Sequence, residues 1–143
     1  MNKIELEKVP NGLGVVNPYN KYFTGISFLN VLNQNGVTVC NVTFEPGCRN
    51  YWHIHNSSKD GGQILFATYG VGYYQEEGKE AVELLPGDYV YIAPNVKHWH
   101  GASNNSIFCH IAIEVPGNNT STTWCKEVSE EDYYKANLIH KER

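Results

Sequence analysis

The sequence lacks the features that direct a chain to a membrane or to nucleic acid. No stretch approaches roughly 18 consecutive apolar residues, so we expect no transmembrane helix. The balance of 11 basic and 15 acidic residues gives a net charge of −4 without a basic patch, so we expect no nucleic-acid partner. The N-terminal stretch MNKIELEKVPNG has no apolar signal-peptide core, which predicts a cytoplasmic protein.

Cysteine pairs at redox or zinc-binding spacing are also missing. The four cysteines form no Cys-x-x-Cys motif, and in a cytoplasmic chain we expect reduced thiols, with Cys40 and Cys109 packed inside strands. A Cys40–Cys48 disulfide is the alternative. The chain of 143 residues is expected to form one domain. A chain of this length buries enough surface to fold without a disulfide or a structural metal.

Helical periodicity is nearly absent, and short apolar runs separated by turn residues take its place. VTVCNVTF precedes EPG, DYVYIAPN follows LLPG, and SIFCHIAIE ends at VPG. Such runs predict an antiparallel sandwich or barrel. The glycines and prolines of residues 1–21 predict an irregular N-terminal arm. Ser129-Glu-Glu-Asp132 fits a capping box and predicts a C-terminal helix over about 129–139 that covers the sheet or a subunit contact.

Histidine occurs in a distinctive arrangement. Two His-x-His pairs, His53/His55 and His98/His100, lie on predicted strands, and His110 lies on a third. Residues two apart on a strand share a face, so each pair presents two imidazoles to one side of the sheet. If these faces look into one barrel, as many as five imidazoles converge, and a metal site is the expected result. For any single histidine, the alternative is a hydrogen-bonded or surface role.

The spacing around these histidines resembles the two sequence motifs of the cupin family. GCRNYWHIH (47–55) followed by QILFATYG (63–70) is similar to the first motif, and GDYVYIAPNVKH (87–98) is similar to the second. The resemblance covers about residues 37–116. It implies an all-β double-stranded β-helix, or jelly-roll barrel, with a short C-terminal helix, in a single domain over 1–143.

Three features depart from the cupin motifs. The gap NSSKDGG after His55 is longer than usual, and Gln63 stands where the family often has glutamate. Ala93 and Asn95 replace the proline and glycine of the second motif. Asparagine tolerates the left-handed backbone that a turn glycine supplies, so the last replacement is mild.

The strings TFEPG, GQIL, LLPGDYVYIAPNVKHWHGA and HIAI resemble the small bacterial cupins that include the manganese-dependent hydroxynitrile lyases and cupins associated with carboxymuconolactone decarboxylases. This resemblance implies one divalent transition metal, with Mn²⁺ favoured and Fe²⁺, Ni²⁺, Co²⁺ or Zn²⁺ open. The implied metal ligands are His53, His55, Gln63 and His98.

The same resemblance places His100 and His110 beside the metal without binding it. His100 is the natural general base, or else it only orients His98. His110 moves a proton, or else it is a hydrogen-bonded wall of the pocket. The remaining pocket residues implied by the resemblance are Cys40, Val42 and Glu114.

These residues predict a metal-dependent enzyme of the lyase, isomerase or oxygenase kind that acts on a small oxygenated compound as a homodimer or tetramer. The alternative is a metal- or ligand-binding module without turnover; an inert structural cupin fits the intact histidine set less well. Trp52 and Trp99 alternate with the paired histidines and should point away from the metal. Arg49 shares strand parity with His53, so we expect it to reach a substrate carboxylate or to form a surface salt bridge.

Overall fold

The structure is a computed structural model that describes residues 3–140, and antiparallel strands dominate it. Two short α-helices, α1 (Lys3–Glu7) and α2 (Glu130–Ala136), and a 3₁₀ turn (Asn20–Tyr22) accompany the strands. The strands are β1 (Val15–Val16), β2 (Phe23–Thr24), β3 (Ser27–Asn33), β4 (Val39–Phe44), β5 (Arg49–Asn50), β6 (His53–Asn56), β7 (Lys59–Asp60), β8 (Gln63–Gly70), β9 (Gly72–Glu76), β10 (Val82–Leu84), β11 (Tyr89–Ile92), β12 (Lys97–Ala102), β13 (Phe108–Glu114), β14 (Gly117–Asn118) and β15 (Ser121–Trp124).

Two sheets form the barrel. The first has the strand order β1-β3-β4-β13-β8-β11, and the second runs β10-β9-β12-β5-β2, with β6 pairing both β12 and β15. Neighbours far apart in sequence, such as β4 and β13, pair antiparallel throughout, which is the mark of a jelly roll. The predicted all-β jelly-roll fold with a short C-terminal helix is confirmed.

Alternating inward side chains fill one end of the space between the sheets. Phe44 of β4, Leu65 of β8 and Phe108 of β13 are fully buried there. Their neighbours at i±2 include the polar residues of the candidate site, so the same alternation that builds the core also turns the site residues inward. The four cysteines carry free thiols, as expected, and Cys109 is buried on β13.

Helix α2 covers the outer face of the second sheet. The hydroxyl of Ser129 accepts a hydrogen bond from the backbone N–H of Asp132 and starts the helix, which ends at Ala136, earlier than the predicted residue 139. Tyr133 packs with Trp99 in a buried cluster on this face. Trp99 therefore does point away from the histidines that flank it, and Trp52 packs against the same cluster.

Arg49 belongs to this outer cluster. It forms the salt bridge predicted as one of its two roles, with Glu130 at 3.0 Å, but its own side chain is buried and does not face the cavity. Its side chain is 5% exposed, its guanidinium lies 4.1 Å from the centroid of the Tyr133 ring, and its Nη2 donates to the carbonyl of Val128. The parity with His53 fails because the strand is interrupted at residues 51–52, between β5 and β6.

The N-terminal arm is more regular than predicted. Residues 3–7 form α1, because the first breaker, Pro10, comes only after this segment. Leu6 and Val9 pack on Cys109 of β13 and on Ile107, which immediately precedes that strand. Strand β15 was also missed, since its polar sequence STTW shows no apolar alternation. Within residues 3–140, neither helix has the length and apolar character to cross a membrane.

Candidate metal centre

Two paired strands bring three histidines together. His53 and His55 share a face of β6, and β6 pairs antiparallel with β12 so that His53 lies opposite His98. One ring nitrogen from each histidine lies within 4.8 Å of those of the other two. The ring centroids are 4.2 Å apart for His53 and His98, and 5.3 Å apart for His55 and His98. This spacing suits one shared cation.

Backbone carbonyls orient two of these rings. Nδ1 of His53 lies 2.7 Å from the carbonyl of Tyr51, and Nδ1 of His98 lies 2.9 Å from the carbonyl of Val96. A carbonyl oxygen only accepts, so each Nδ1 carries the ring proton and each Nε2 keeps its lone pair. Such hydrogen bonds fix the tautomer that binds a metal through Nε2.

Burial keeps the cluster neutral. Desolvation, reinforced by the neighbouring rings, lowers the pKa of His53 well below 6.5, and desolvation lowers the pKa of His98 to about 4. Desolvation also lowers the pKa of His55, against the opposing effects of the Glu114 carboxylate and the neighbouring Gln63 side chain. Neutral imidazoles at neutral pH are the form that coordinates metals.

Gln63 opens β8 beside these histidines. Its side chain is 6% exposed, and its Nε2 donates to Oε1 of Glu114 at 2.7 Å. That bond identifies the amide nitrogen and leaves Oε1 turned away from the carboxylate. Gln63 lines the same cavity as His53 and His55, which puts its amide next to the cluster. The structure thus brings all four predicted ligands to one place.

The donor atoms of this cluster fit a divalent transition metal. Nε2 of His55, Nε2 of His98 and Oε1 of Gln63 are buried, and within residues 3–140 none of them has a hydrogen-bond partner of normal geometry. Buried polar atoms without partners are costly and rare, and three in one cluster are a donor set that a bound cation would satisfy. Neutral imidazoles and an amide oxygen suit several metals of the Mn²⁺ to Zn²⁺ series, without choosing one.

A cavity of about 390 Å³ extends from the cluster. The predicted pocket residues Cys40, Val42 and Glu114 all line it, together with both predicted catalytic histidines. Part of the cavity wall is apolar and aromatic, a feature that the sequence did not reveal. It is formed by Phe23, Leu29, Phe44 and Trp124.

His100 and His110 form a hydrogen-bonded pair on the cavity wall. Nε2 of His110 lies 3.0 Å from Nδ1 of His100, and the two rings meet edge to face. Both rings are buried, and desolvation lowers the pKa of His110 to about 3 and that of His100 well below 6.5. The His100 ring lies 5.6 Å from the His53 ring, centroid to centroid, and so stands beside the cluster.

Asn50 is a site residue that the sequence did not reveal. It is 2% exposed, lines the cavity, and contacts His100 with both ends of its amide. Alternation counted back from His53 puts residue 50 on the opposite face. The break at residues 51–52 reverses this parity, so Asn50 faces inward and Arg49 faces outward.

Comparison with known proteins identifies the family. The cupin domain model matches residues 40–111, half of the chain. The chain belongs to the cupin family. The (R)-mandelonitrile lyase of Granulicella tundricola is 38% identical over 116 residues, which cover 78% of this chain and 86% of that protein.

Solved structures agree with the assignment. A cupin-like protein from Thermotoga maritima superposes with a TM-score of 0.78 at 39% identity, over 90% of this chain and 97% of that one. A predicted oxalate decarboxylase from the same organism shares the fold, with a TM-score of 0.62, 16% identity, and 70% and 89% of the two chains covered.

The long loop of this cupin folds away from the cluster. Residues 59–60 of NSSKDGG pair as β7 with β14, and Gly62 (φ +98°) then turns the chain into β8. A Cβ at residue 62 would lie 2.5 Å from the carbonyl oxygen of Ile92, so only glycine fits. Asn95 has φ +67°, as expected for a glycine substitute, and its amide holds the backbone of Ser57. The insertion therefore leaves Gln63 among the histidines.

Proposed function

We propose that this cupin is a metal-dependent enzyme that cleaves a small hydroxy compound, with cyanohydrin cleavage as the reference reaction. His53, His55, His98 and Gln63 would hold one divalent ion, and Mn²⁺ is the favoured candidate. The single observation that carries the proposal is the His100–His110 pair, hydrogen bonded at 3.0 Å beside three convergent imidazoles. A protein that only holds a metal has no need of a base next to it.

The relative named a mandelonitrile lyase supports the reaction type. Mandelonitrile is an aromatic cyanohydrin, and the aromatic part of the cavity wall offers a surface for such a group. Phe23 and Trp124 belong to that part, and the Trp124 ring lies 4.8 Å from the His53 ring, centroid to centroid. We therefore propose that the substrate places its apolar substituent there and its hydroxyl near His100.

The chain's own residues would then move one proton. A bound divalent metal supplies Lewis-acid stabilisation of negative charge on the substrate oxygen. His100 accepts the hydroxyl proton, the bond to the nitrile carbon breaks as the carbonyl forms, and cyanide leaves with the electron pair. His100 returns the proton to cyanide, so the products are an aldehyde and hydrogen cyanide. The apolar wall and the buried His110 keep water out of this exchange.

Metal analysis combined with a substrate panel tests the proposal. We expect purified protein to bind one equivalent of Mn²⁺ and to turn over a cyanohydrin, a hydroxyketone or a small hydroxy acid. The variant His100→Ala should keep the metal and lose at least about 100-fold in kcat, the typical contribution of a general base. Stoichiometric metal without turnover on any substrate would instead support the alternative, a non-catalytic metal- or ligand-binding module.

Two further expectations stay proposals. We propose that the chain works as a dimer or tetramer, which light scattering coupled to gel filtration would measure. A cytoplasmic location, which localisation of the tagged chain would check, likewise rests on the sequence.

A further inference from the structure

The outer face of the first sheet carries a patch of apolar side chains. Strands β11, β8 and β13 lie next to one another, and residues directly opposite each other on antiparallel strands share a face. Gln63 and Glu114 face the cavity, so the residues that alternate with them on these strands point outward. Two rows of three side chains form this outer patch: Tyr89, Phe66 and Ile111 in one row, and Tyr91, Ile64 and Ile113 in the other.

The aromatic members of the outer patch are open to solvent. Tyr89, Tyr91 and Phe66 are 68%, 51% and 44% exposed. Helix α2 packs on the second sheet, and the N-terminal arm packs on Cys109 at the start of β13 and beside Asn41 of β4. Within residues 3–140, both elements therefore leave these three rings uncovered. Exposed apolar side chains that adjoin one another mark contact sites.

The outer patch has the composition and the size of an interface centre. None of its six members is charged, although the whole chain carries a net charge of −4. The exposed parts of its three aromatic residues amount to roughly 250–400 Å², taking roughly 150–250 Å² for one fully buried aromatic residue. A standard interface buries about 800 Å² on each partner, and its centre is depleted in charge and enriched in tyrosine and phenylalanine. The three rings alone thus supply roughly a third to a half of the area that one partner needs.

We propose that the outer patch is the contact surface for a second copy of this chain. Two copies with the same net charge repel each other least where both surfaces are uncharged, and the outer patch meets that condition. A partner of opposite charge would be matched by acidic side chains, which the patch does not have. The inference rests on the proposed dimer or tetramer and specifies its interface.

The order of side chains in the two rows makes the outer patch self-complementary. Each row is aromatic on the edge strand β11 and aliphatic on β13. A two-fold axis parallel to the central strand β8 places β11 of one copy over β13 of the other. The long tyrosine side chains of each copy then lie on the shorter isoleucines of its partner, as a two-fold contact requires. Phe66 belongs to β8, so it meets its own counterpart near the axis.

Charge substitutions at Phe66 test both the surface and the axis. Phe66→Glu and Phe66→Lys each bring two like charges together at the axis, so each variant should have half the wild-type mass. An equimolar mixture of the two variants places opposite charges there and should associate more strongly than either variant alone. Sedimentation velocity in the presence of Mn²⁺ and without substrate measures all of these samples, and circular dichroism checks that each variant is folded.

Two further variants keep the test independent of folding at residue 66. Tyr89→Lys changes the most exposed member of the outer patch, on an edge strand, and should also halve the mass. The matched control is Tyr134→Lys on helix α2, at a tyrosine that is 65% exposed on the far side of the second sheet, and it should keep the wild-type mass.

Three results would contradict the inference. A monomeric wild type would overturn it and leave the outer patch to a different partner, and so would an unchanged mass in folded Tyr89→Lys. A mixture of Phe66→Glu and Phe66→Lys that associates no better than its components would overturn the two-fold arrangement. Because the mass is measured without turnover, an inactive dimer contradicts only the proposed reaction, whereas an active monomer contradicts the interface and not the reaction.

Discussion

The amide nitrogen of Gln63 lies 2.7 Å from a carboxylate oxygen of Glu114. The two residues pair across adjacent strands, with Gln63 at the start of β8 and Glu114 at the end of β13. The carboxylate accepts a hydrogen bond from the amide N–H. This bond fixes the orientation of the amide and leaves its oxygen available to a metal. Where many cupins use a charged glutamate as ligand, the proposed ligand of this chain is neutral and is backed by a carboxylate one residue further out.

Replacing Glu114 should weaken metal binding while leaving the ligands intact. In Glu114→Gln the amide of Gln63 loses both its fixed orientation and the nearby negative charge. We expect the Kd for Mn²⁺ to rise by about 10–100-fold, the usual cost of losing a partner that orients a ligand. Chelator competition would measure it. The control is Glu80→Gln, in which an exposed carboxylate in the β9–β10 turn is removed. Equal Kd values for both variants would contradict this role for Glu114.

Substitutions of the four proposed ligands should lower metal affinity, whereas a substitution of His110 should not. His98→Ala and Gln63→Ala each remove a donor atom that is buried without a partner within residues 3–140, so both should lower Mn²⁺ affinity, and His98→Ala should abolish stoichiometric binding. His110→Ala should retain the metal, since that ring faces His100. Metal content after gel filtration provides the measurement. Unchanged affinity in Gln63→Ala would reduce the ligand set to three histidines.

The sequence predicted the site better than its surroundings, for a physical reason. The cluster of His53, His55 and His98 depends on period-two alternation within regular strands, which the sequence displays directly. Arg49 was misplaced and Asn50 was missed because alternation holds only along an unbroken strand, and the chain leaves the strand at residues 51–52.

Strands with few apolar residues also could not be predicted from the sequence. Strand β15 is polar, yet it places Trp124 against the His53 ring at 4.8 Å between centroids. Its position is decided by pairing with β6, a contact between residues far apart in sequence that no local pattern contains. The same holds for the hydrogen bond between Gln63 and Glu114.

Metal binding should stabilise the fold as well as support the proposed reaction. Binding to the folded state alone adds about 2.7 kcal/mol when free metal is 100 times its Kd. We therefore expect wild-type Tm to rise by several degrees when Mn²⁺ is added to EDTA-treated protein, as measured by calorimetry. His98→Ala should show no such shift. A Tm rise of equal size in His98→Ala would mean that the stabilising metal binds elsewhere.

The metal-free protein should lose stability as acid is added. Desolvation depresses the pKa of His110 from 6.5 to about 3, so below pH 6.5 the unfolded chain binds a proton that the folded state rejects. The free energy of unfolding therefore falls as the pH falls. This contribution to stability is complete above pH 6.5 and is lost as the pH falls toward 3. Urea unfolding in EDTA at pH 7, 6 and 5 would compare the wild type with His110→Gln. The variant's pH slope should be shallower by about one proton, and parallel slopes would contradict the assignment.

Arg49 should matter for stability and not for the metal. Its guanidinium is buried against the Tyr133 ring, donates to the carbonyls of Gly47 and Val128, and reaches Glu130, whose side chain is 87% exposed. Lysine keeps the charge but cannot make the planar, forked set of contacts. Arg49→Lys should therefore lower the free energy of unfolding by about 1–3 kcal/mol, the cost of leaving buried hydrogen-bond partners unpaired.

The matched change Glu130→Gln removes only the exposed end of this arrangement. It should lower the free energy of unfolding by less than about 1 kcal/mol, since a solvent-exposed ion pair contributes little. Chemical denaturation of both variants, with Mn²⁺ titration of each, separates the two contributions. Because Arg49 faces helix α2 and not the cavity, both variants should keep the wild-type Kd for Mn²⁺ and the wild-type KM. A raised KM in Arg49→Lys at unchanged stability would restore the substrate-binding role that its buried position contradicts.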